Sequence, residues 1–126
     1  MINETAETAR SRAPSDGIRT VTGATFDALI SRAAGPIAVE FMSYGCSHCG
    51  EIEPVLQRVA EMVKAKGRIF RVNVEAERGL SDRYEIRATP TFVMFLNGSE
   101  VGRSEGPPPT VSAVLTAVTR PFRGMK

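Results

Sequence analysis

The chain has 126 residues, 42% hydrophobic and 24% charged, and its 16 Lys and Arg against 14 Asp and Glu leave a formal charge of +2. That length fits one domain able to bury a core without metals or structural disulfides, and so small a charge argues against nucleic acid as a partner. With only two cysteines, the disulfide framework of a small secreted domain is excluded, and a close pair points instead to redox chemistry or a metal.

Residues Met1 to Asp16 carry acids, arginines and threonines but no apolar stretch of signal-peptide length. No run of about 18 apolar residues occurs anywhere in the chain, so no membrane span is expected. We read residues 1–16 as a flexible tail, residues 17–126 as the folded domain, and the protein as cytoplasmic and monomeric.

Ile18 to Val21 is a short strand candidate. Phe26, Leu29, Ile30 and Ala33 then follow at helical spacing, with Thr22 or Thr25 available as a cap and Gly35-Pro36 as the stop. The nearly continuous apolar run from Ile37 to Met42 is expected of a strand covered on both faces in a parallel sheet. Glu40 interrupts that run. Next come Cys46-Ser47-His48-Cys49, which hold both cysteines and the single histidine of the chain. Ile52, Val55, Leu56, Val59, Met62 and Val63 keep one face of a helix, with a kink expected at Pro54 and Lys64, Lys66 and Gly67 marking its end.

Ile69 to Val74 predicts a second buried strand, Leu80 to Tyr84 a short helix, and Phe92 to Leu96 a third strand. Asn97-Gly98 signals a tight hairpin into Glu100 to Ser104, which makes the last two strands antiparallel. Gly106-Pro107-Pro108-Pro109 breaks the pattern before a final helix through Val111, Val114, Leu115 and Val118 that Pro121 stops. Strand, helix, strand, helix, strand, helix, hairpin, helix describes an α/β sheet with helices on both faces.

Two thiols three positions apart on the first turn of a helix can reach one another. The unpaired N–H groups and partial positive charge of that end favour the thiolate of the leading cysteine. Cys46, as the more exposed, is the expected attacking thiol and Cys49 the resolving one. The competing readings are two small buried apolar residues, or part of a metal site with His48. Three ligands within four residues give poor tetrahedral geometry without a fourth, so no metal is expected. His48 could stabilise the thiolate by positive charge, or be a solvent-facing loop residue. A carboxylate buried at Glu40 would have a raised pKa suited to taking the proton of Cys49; otherwise it pairs structurally, for instance with Arg71.

From about Ile18 to Arg120 the chain resembles the thioredoxin family. The resemblance is carried by the order of elements, the strand running into Cys46-Ser47-His48-Cys49, Pro54 five residues past the second cysteine, Ala88-Thr89-Pro90-Thr91 opening a strand, and Asn97-Gly98 in the hairpin. It implies the thioredoxin fold, a central mixed five-stranded sheet flanked by four helices. It also implies thiol-disulfide exchange with disulfide-containing proteins, without a bound cofactor, and regeneration by a thioredoxin reductase. Thr89-Pro90 matches the family's cis-proline. The resemblance places it beside the cysteines, where the Thr89 backbone could pair with an extended substrate segment, with Gly45, Tyr44 and Gly106 shaping the same groove.

Where typical members read Trp-Cys-Gly-Pro-Cys, this chain has Gly45 before the first cysteine and Ser47-His48 between the two. A histidine before the second cysteine is similar to the family's isomerases and oxidases, so a pair more oxidising than that of typical thioredoxin is expected. The alternative is a peptide-binding or chaperone-like module of the same fold with little redox turnover.

Overall fold

The computed structural model describes residues 18–123. The expected tail of residues 1–16 lies outside the described residues.

The strands are β1 (Arg19–Thr20), β2 (Pro36–Met42), β3 (Arg68–Asn73), β4 (Thr91–Leu96) and β5 (Ser99–Glu105). The helices are α1 (Gly23–Arg32), α2 (Ser47–Val63), α3 (Arg78–Arg83) and α4 (Val111–Thr119), the last running into a 3-10 turn at Arg120–Phe122. One mixed sheet has the order β1-β3-β2-β4-β5. β3 runs parallel to both β1 and β2, whereas β4 is antiparallel to β2 and to β5. β2 is therefore central, and it carries the chain directly to the cysteines.

Alternation along the strands divides most of the buried apolar side chains between two cores. Ile37, Val39, Phe41, Phe70, Val72, Val93 and Phe95 pack with Phe26 and Ile30 of α1 and Leu80 of α3. Ala38, Ile69, Phe92 and Met94 face the other way, against Ile52, Leu56 and Val59 of α2 and Val114 and Val118 of α4. By the same alternation Glu40, between Val39 and Phe41, and Arg71, between Phe70 and Val72, belong to the face beneath α2. This placement puts charge under the helix that bears Cys49.

Most expected elements are present with boundaries moved by one to three residues. Of the two candidate caps, Thr22 occupies the N-cap of α1, without a side-chain cap hydrogen bond, while Thr25 lies inside the helix. α2 continues through Pro54. Asn97 and Gly98 have φ of 54° and 85°, the left-handed pair that a two-residue hairpin turn requires. The Thr110 hydroxyl accepts from the Ala113 N–H at 3.1 Å and so starts α4.

Gly67 follows α2, its N–H donating to the Val63 carbonyl at 3.0 Å. A Cβ here would lie 2.7 Å from the Pro36 carbonyl oxygen and 3.3 Å from Pro36 Cβ. Since the obstacle is backbone at the start of β2, it cannot rotate away. Gly67→Ala is expected to destabilise the protein by about 1–3 kcal/mol, read as a lower denaturant midpoint at unchanged slope.

Candidate active site

Cys46 leaves β2 through Ser43-Tyr44-Gly45 and stands at the N-cap of α2 in an extended conformation. Its sulfur accepts from the Cys49 N–H at 3.1 Å, the contact a capping oxygen would make. A backbone donor aimed at sulfur from the positive end of a 17-residue helix favours a thiolate there once the pair is reduced. Cys46 and Cys49 are joined as a disulfide, with their Cα atoms 5.2 Å apart. Cys46 is half-buried at the surface, whereas Cys49 is only 3% exposed.

Across from Cys46 runs the turn into β4. The Cys46 Sγ is 3.4 Å from the carbonyl oxygen of Thr89. The Thr89–Pro90 peptide is cis, Pro90 is buried, and its carbonyl accepts from the Gly106 N–H at 2.8 Å. Gly106 has φ of 51°, which only a residue without a Cβ adopts freely. Thr89, Pro90 and Gly106 are thus brought to the sulfur as one unit. Gly45 sits on the opposite rim, its N–H donating to the Ser43 hydroxyl at 3.2 Å, beside a Tyr44 that is 73% exposed.

His48 makes contacts of a different kind. Its Nε2 is 2.9 Å from the Pro107 carbonyl oxygen, so this nitrogen carries the proton and donates, and its Nδ1 is 4.0 Å from Glu51 Oε1. The ring therefore ties the first turn of α2 to the Gly106-Pro107 loop rather than standing free in solvent.

Glu40 is fully buried. It lies opposite Arg71 of β3 and Phe92 of β4 in the sheet register. Arg71 Nε is 3.6 Å from Glu40 Oε1, an ion-pair contact too long for a good hydrogen bond, and neither Glu40 oxygen makes a hydrogen bond to any described residue. Burial pushes the carboxyl from 4.5 up to about 7; the Arg71 guanidinium opposes the rise and the nearby Glu53 charge adds to it. Of the two roles weighed for Glu40, the pairing with Arg71 is present, and its altered acidity suits proton exchange near neutrality as well.

A crevice of about 270 Å³ opens beside the disulfide, lined by Tyr44, Cys46, Cys49, Glu53 and Arg71 among others. Glu40 does not line it. Sequence reasoning passed over Glu53, whose Oε2 accepts from Arg71 Nη2 at 2.6 Å and from Gln57 Nε2 at 2.7 Å. No sequence signal set it apart, since an acid four residues beyond Cys49 on a helix face is ordinary. Ser43 was also missed; its hydroxyl donates to Glu75 at 2.7 Å and fixes the loop ahead of Cys46.

A model of the thioredoxin family matches residues 17–118. The chain is 34% identical over 85 residues to a protein of Oryza sativa subsp. japonica named Thioredoxin Y, chloroplastic, covering 68% of this chain and 51% of that one. It is 31% identical over 85 residues to a Pseudomonas aeruginosa thioredoxin, covering 68% and 79% of the two chains. A third relative, Thioredoxin Y1, chloroplastic, of Arabidopsis thaliana, is 29% identical over 82 residues, or 65% of this chain and 48% of its own. The match thus spans about half the length of the plant relatives. The family match runs from ahead of β1 almost to the end of α4, with the cysteine pair and the Thr89-Pro90 turn inside it, and the chain belongs to the thioredoxin family.

Proposed function

We propose that the chain is a thiol-disulfide oxidoreductase that exchanges electrons with protein disulfides through Cys46 and Cys49. The observation that carries this reading is the asymmetry of the pair: Cys46 at the surface beside the Thr89 carbonyl, and Cys49 buried one turn below it. In the reduced protein the Cys46 thiolate attacks a substrate disulfide, forming a mixed disulfide as one substrate sulfur leaves with its electron pair. Cys49 then loses its proton and attacks Cys46. The Cys46–Cys49 bond forms, the bond to substrate breaks, and the second substrate thiolate leaves and takes up a proton.

In this reading Glu40 receives the Cys49 proton, and the Thr89 backbone with Gly45 and Gly106 holds an extended segment of the substrate. A thioredoxin reductase returns two electrons to the pair, and the cytoplasm is the compartment that supports such a cycle. Incubation of the dithiothreitol-reduced protein with insulin tests the proposal. Precipitation no faster than with dithiothreitol alone would end it.

We further take the pair to be more oxidising than a Gly-Pro version of the same site, because His48 offers a protonatable ring on the first turn of α2, where positive charge stabilises the reduced form. The double variant Ser47→Gly, His48→Pro is expected to have a more negative potential in equilibrium with glutathione. An unchanged potential would remove the assignment to His48.

A further inference from the structure

Glu40 is buried and does not line the crevice it is taken to serve, whereas Arg71 and Glu53 do. Arginine keeps its proton in proteins, so Arg71 cannot pass one on; what it supplies is a fixed positive charge. That charge is divided. Arg71 Nη2 meets Glu53 Oε2 at 2.6 Å while Nε stands 3.6 Å from Glu40 Oε1, so the shorter contact belongs to the outer carboxylate. Glu53 is 37% exposed at its side chain and Glu40 1%, which makes Glu53 the end of the cluster that meets solvent.

We propose that Glu53 is a positioning residue for the resolving step: by holding Arg71 and sharing its charge, it sets how readily Glu40 exchanges a proton with the Cys49 side of the crevice. The inference rests on the oxidoreductase reading. Among the described residues, charged and titratable groups near Glu40 come from the neighbouring strand and from α2. β3 contributes Arg71, β4 the uncharged Phe92, and α2 Cys49 and Glu53, with Gln57 bound to the same Glu53 oxygen and Tyr44 across the crevice. Two carboxylates on one guanidinium leave the cluster one negative charge in excess when both are ionised. The proton that relieves this excess settles on the buried member, where desolvation disfavours charge. Without the outer charge, Glu40 would lose the repulsion of Glu53 and stay ionised at lower pH.

The test is a carboxyl-carbon NMR titration of Glu40 in the disulfide form of the parent, Glu53→Gln and Glu53→Asp proteins, each with all 126 residues. Glu53→Gln keeps an oxygen for Arg71 and Gln57 but removes the charge, and it is expected to lower the Glu40 midpoint by about one pH unit. Glu53→Asp keeps the charge and is expected to stay close to the parent. The acid limb of the single-turnover resolution rate, followed from a Cys46 mixed disulfide, is expected to shift in the same direction as the midpoint. An unmoved midpoint in Glu53→Gln, an equal drop in both variants, or an acid limb that does not follow the midpoint overturns the proposal. The titration needs no substrate. A shifted midpoint in a protein that fails to reduce insulin supports the Glu53–Arg71–Glu40 coupling and overturns only the reading on which it rests.

Discussion

Replacing Cys46 with serine is expected to reduce insulin reduction to the rate of dithiothreitol alone, while replacing Cys49 with serine is expected to stop the protein midway, with substrate bonded to Cys46. The difference follows from the position of each sulfur. Cys46 meets the surface beside the Thr89 carbonyl and receives the Cys49 N–H, so it is the sulfur expected to meet an incoming disulfide and the one whose thiolate that donor would favour after reduction. Cys49, 3% exposed, is closed to a protein substrate yet within bonding reach of Cys46. A serine at position 46 leaves no accessible nucleophile, since a hydroxyl does not ionise near neutral pH. A serine at position 49 leaves the first step intact and removes the second. Mass spectrometry under non-reducing conditions should show a covalent adduct of Cys49→Ser with a disulfide-bearing peptide that dithiothreitol releases, and none with Cys46→Ser. Equal adduct formation by both variants would mean that the roles of the two thiols are misassigned.

The sheet was legible because its strands carry long apolar runs that chain topology cannot easily rearrange. Ile37 to Met42 and Phe92 to Phe95 are buried on both faces, and Asn97-Gly98 fixes the hairpin between β4 and β5. Boundaries moved where hydrogen bonding rather than hydrophobicity decides them. β2 begins at Pro36 because its partner Leu96 extends that far, and β3 stops at Asn73, whose carbonyl accepts from Ala76 and Glu77 in the following turn. The cysteine pair could be read from spacing alone. Glu53 could not, because an acid on a helix surface is ordinary until a second acid and an arginine are known to lie under it. Glu40 and Arg71 could be paired as residues of neighbouring strands, and the parallel register of β2 and β3 sets them opposite one another although they are 31 positions apart. His48 shows the same limit. Its position in the motif was evident, but its contact with Pro107 depends on where the loop before α4 folds back.

Glu40→Gln is expected to make the protein more stable at pH 8 and a slower catalyst at pH 7. The folded-state pKa of about 7 lies above the ordinary value of 4.5. Below about pH 4.5 the group is protonated both folded and unfolded, and no pH-dependent penalty exists. Between 4.5 and 7 the unfolded chain has released the proton and the folded one has kept it, so stability falls as pH rises, by at most about 1.4 kcal/mol per unit. Above about 7 both forms are ionised and the loss levels off near roughly 3 kcal/mol, an upper bound because the surrounding structure relaxes. A neutral amide of the same shape removes that loss, and Arg71 retains Glu53 as its partner. Denaturant titrations at pH 4 and pH 8 should therefore give a small difference between parent and variant at pH 4 and a clear gain for the variant at pH 8. The kinetic cost is bounded by similar reasoning. A thiol without a base is a few per cent ionised at pH 7, so losing Glu40 is expected to slow resolution of the mixed disulfide about ten- to thirtyfold, and the deficit should vanish as pH approaches the thiol's own ionisation. A variant with parental stability at pH 8 and a parental resolution rate at pH 7 would show that the buried carboxyl neither strains the fold nor serves Cys49.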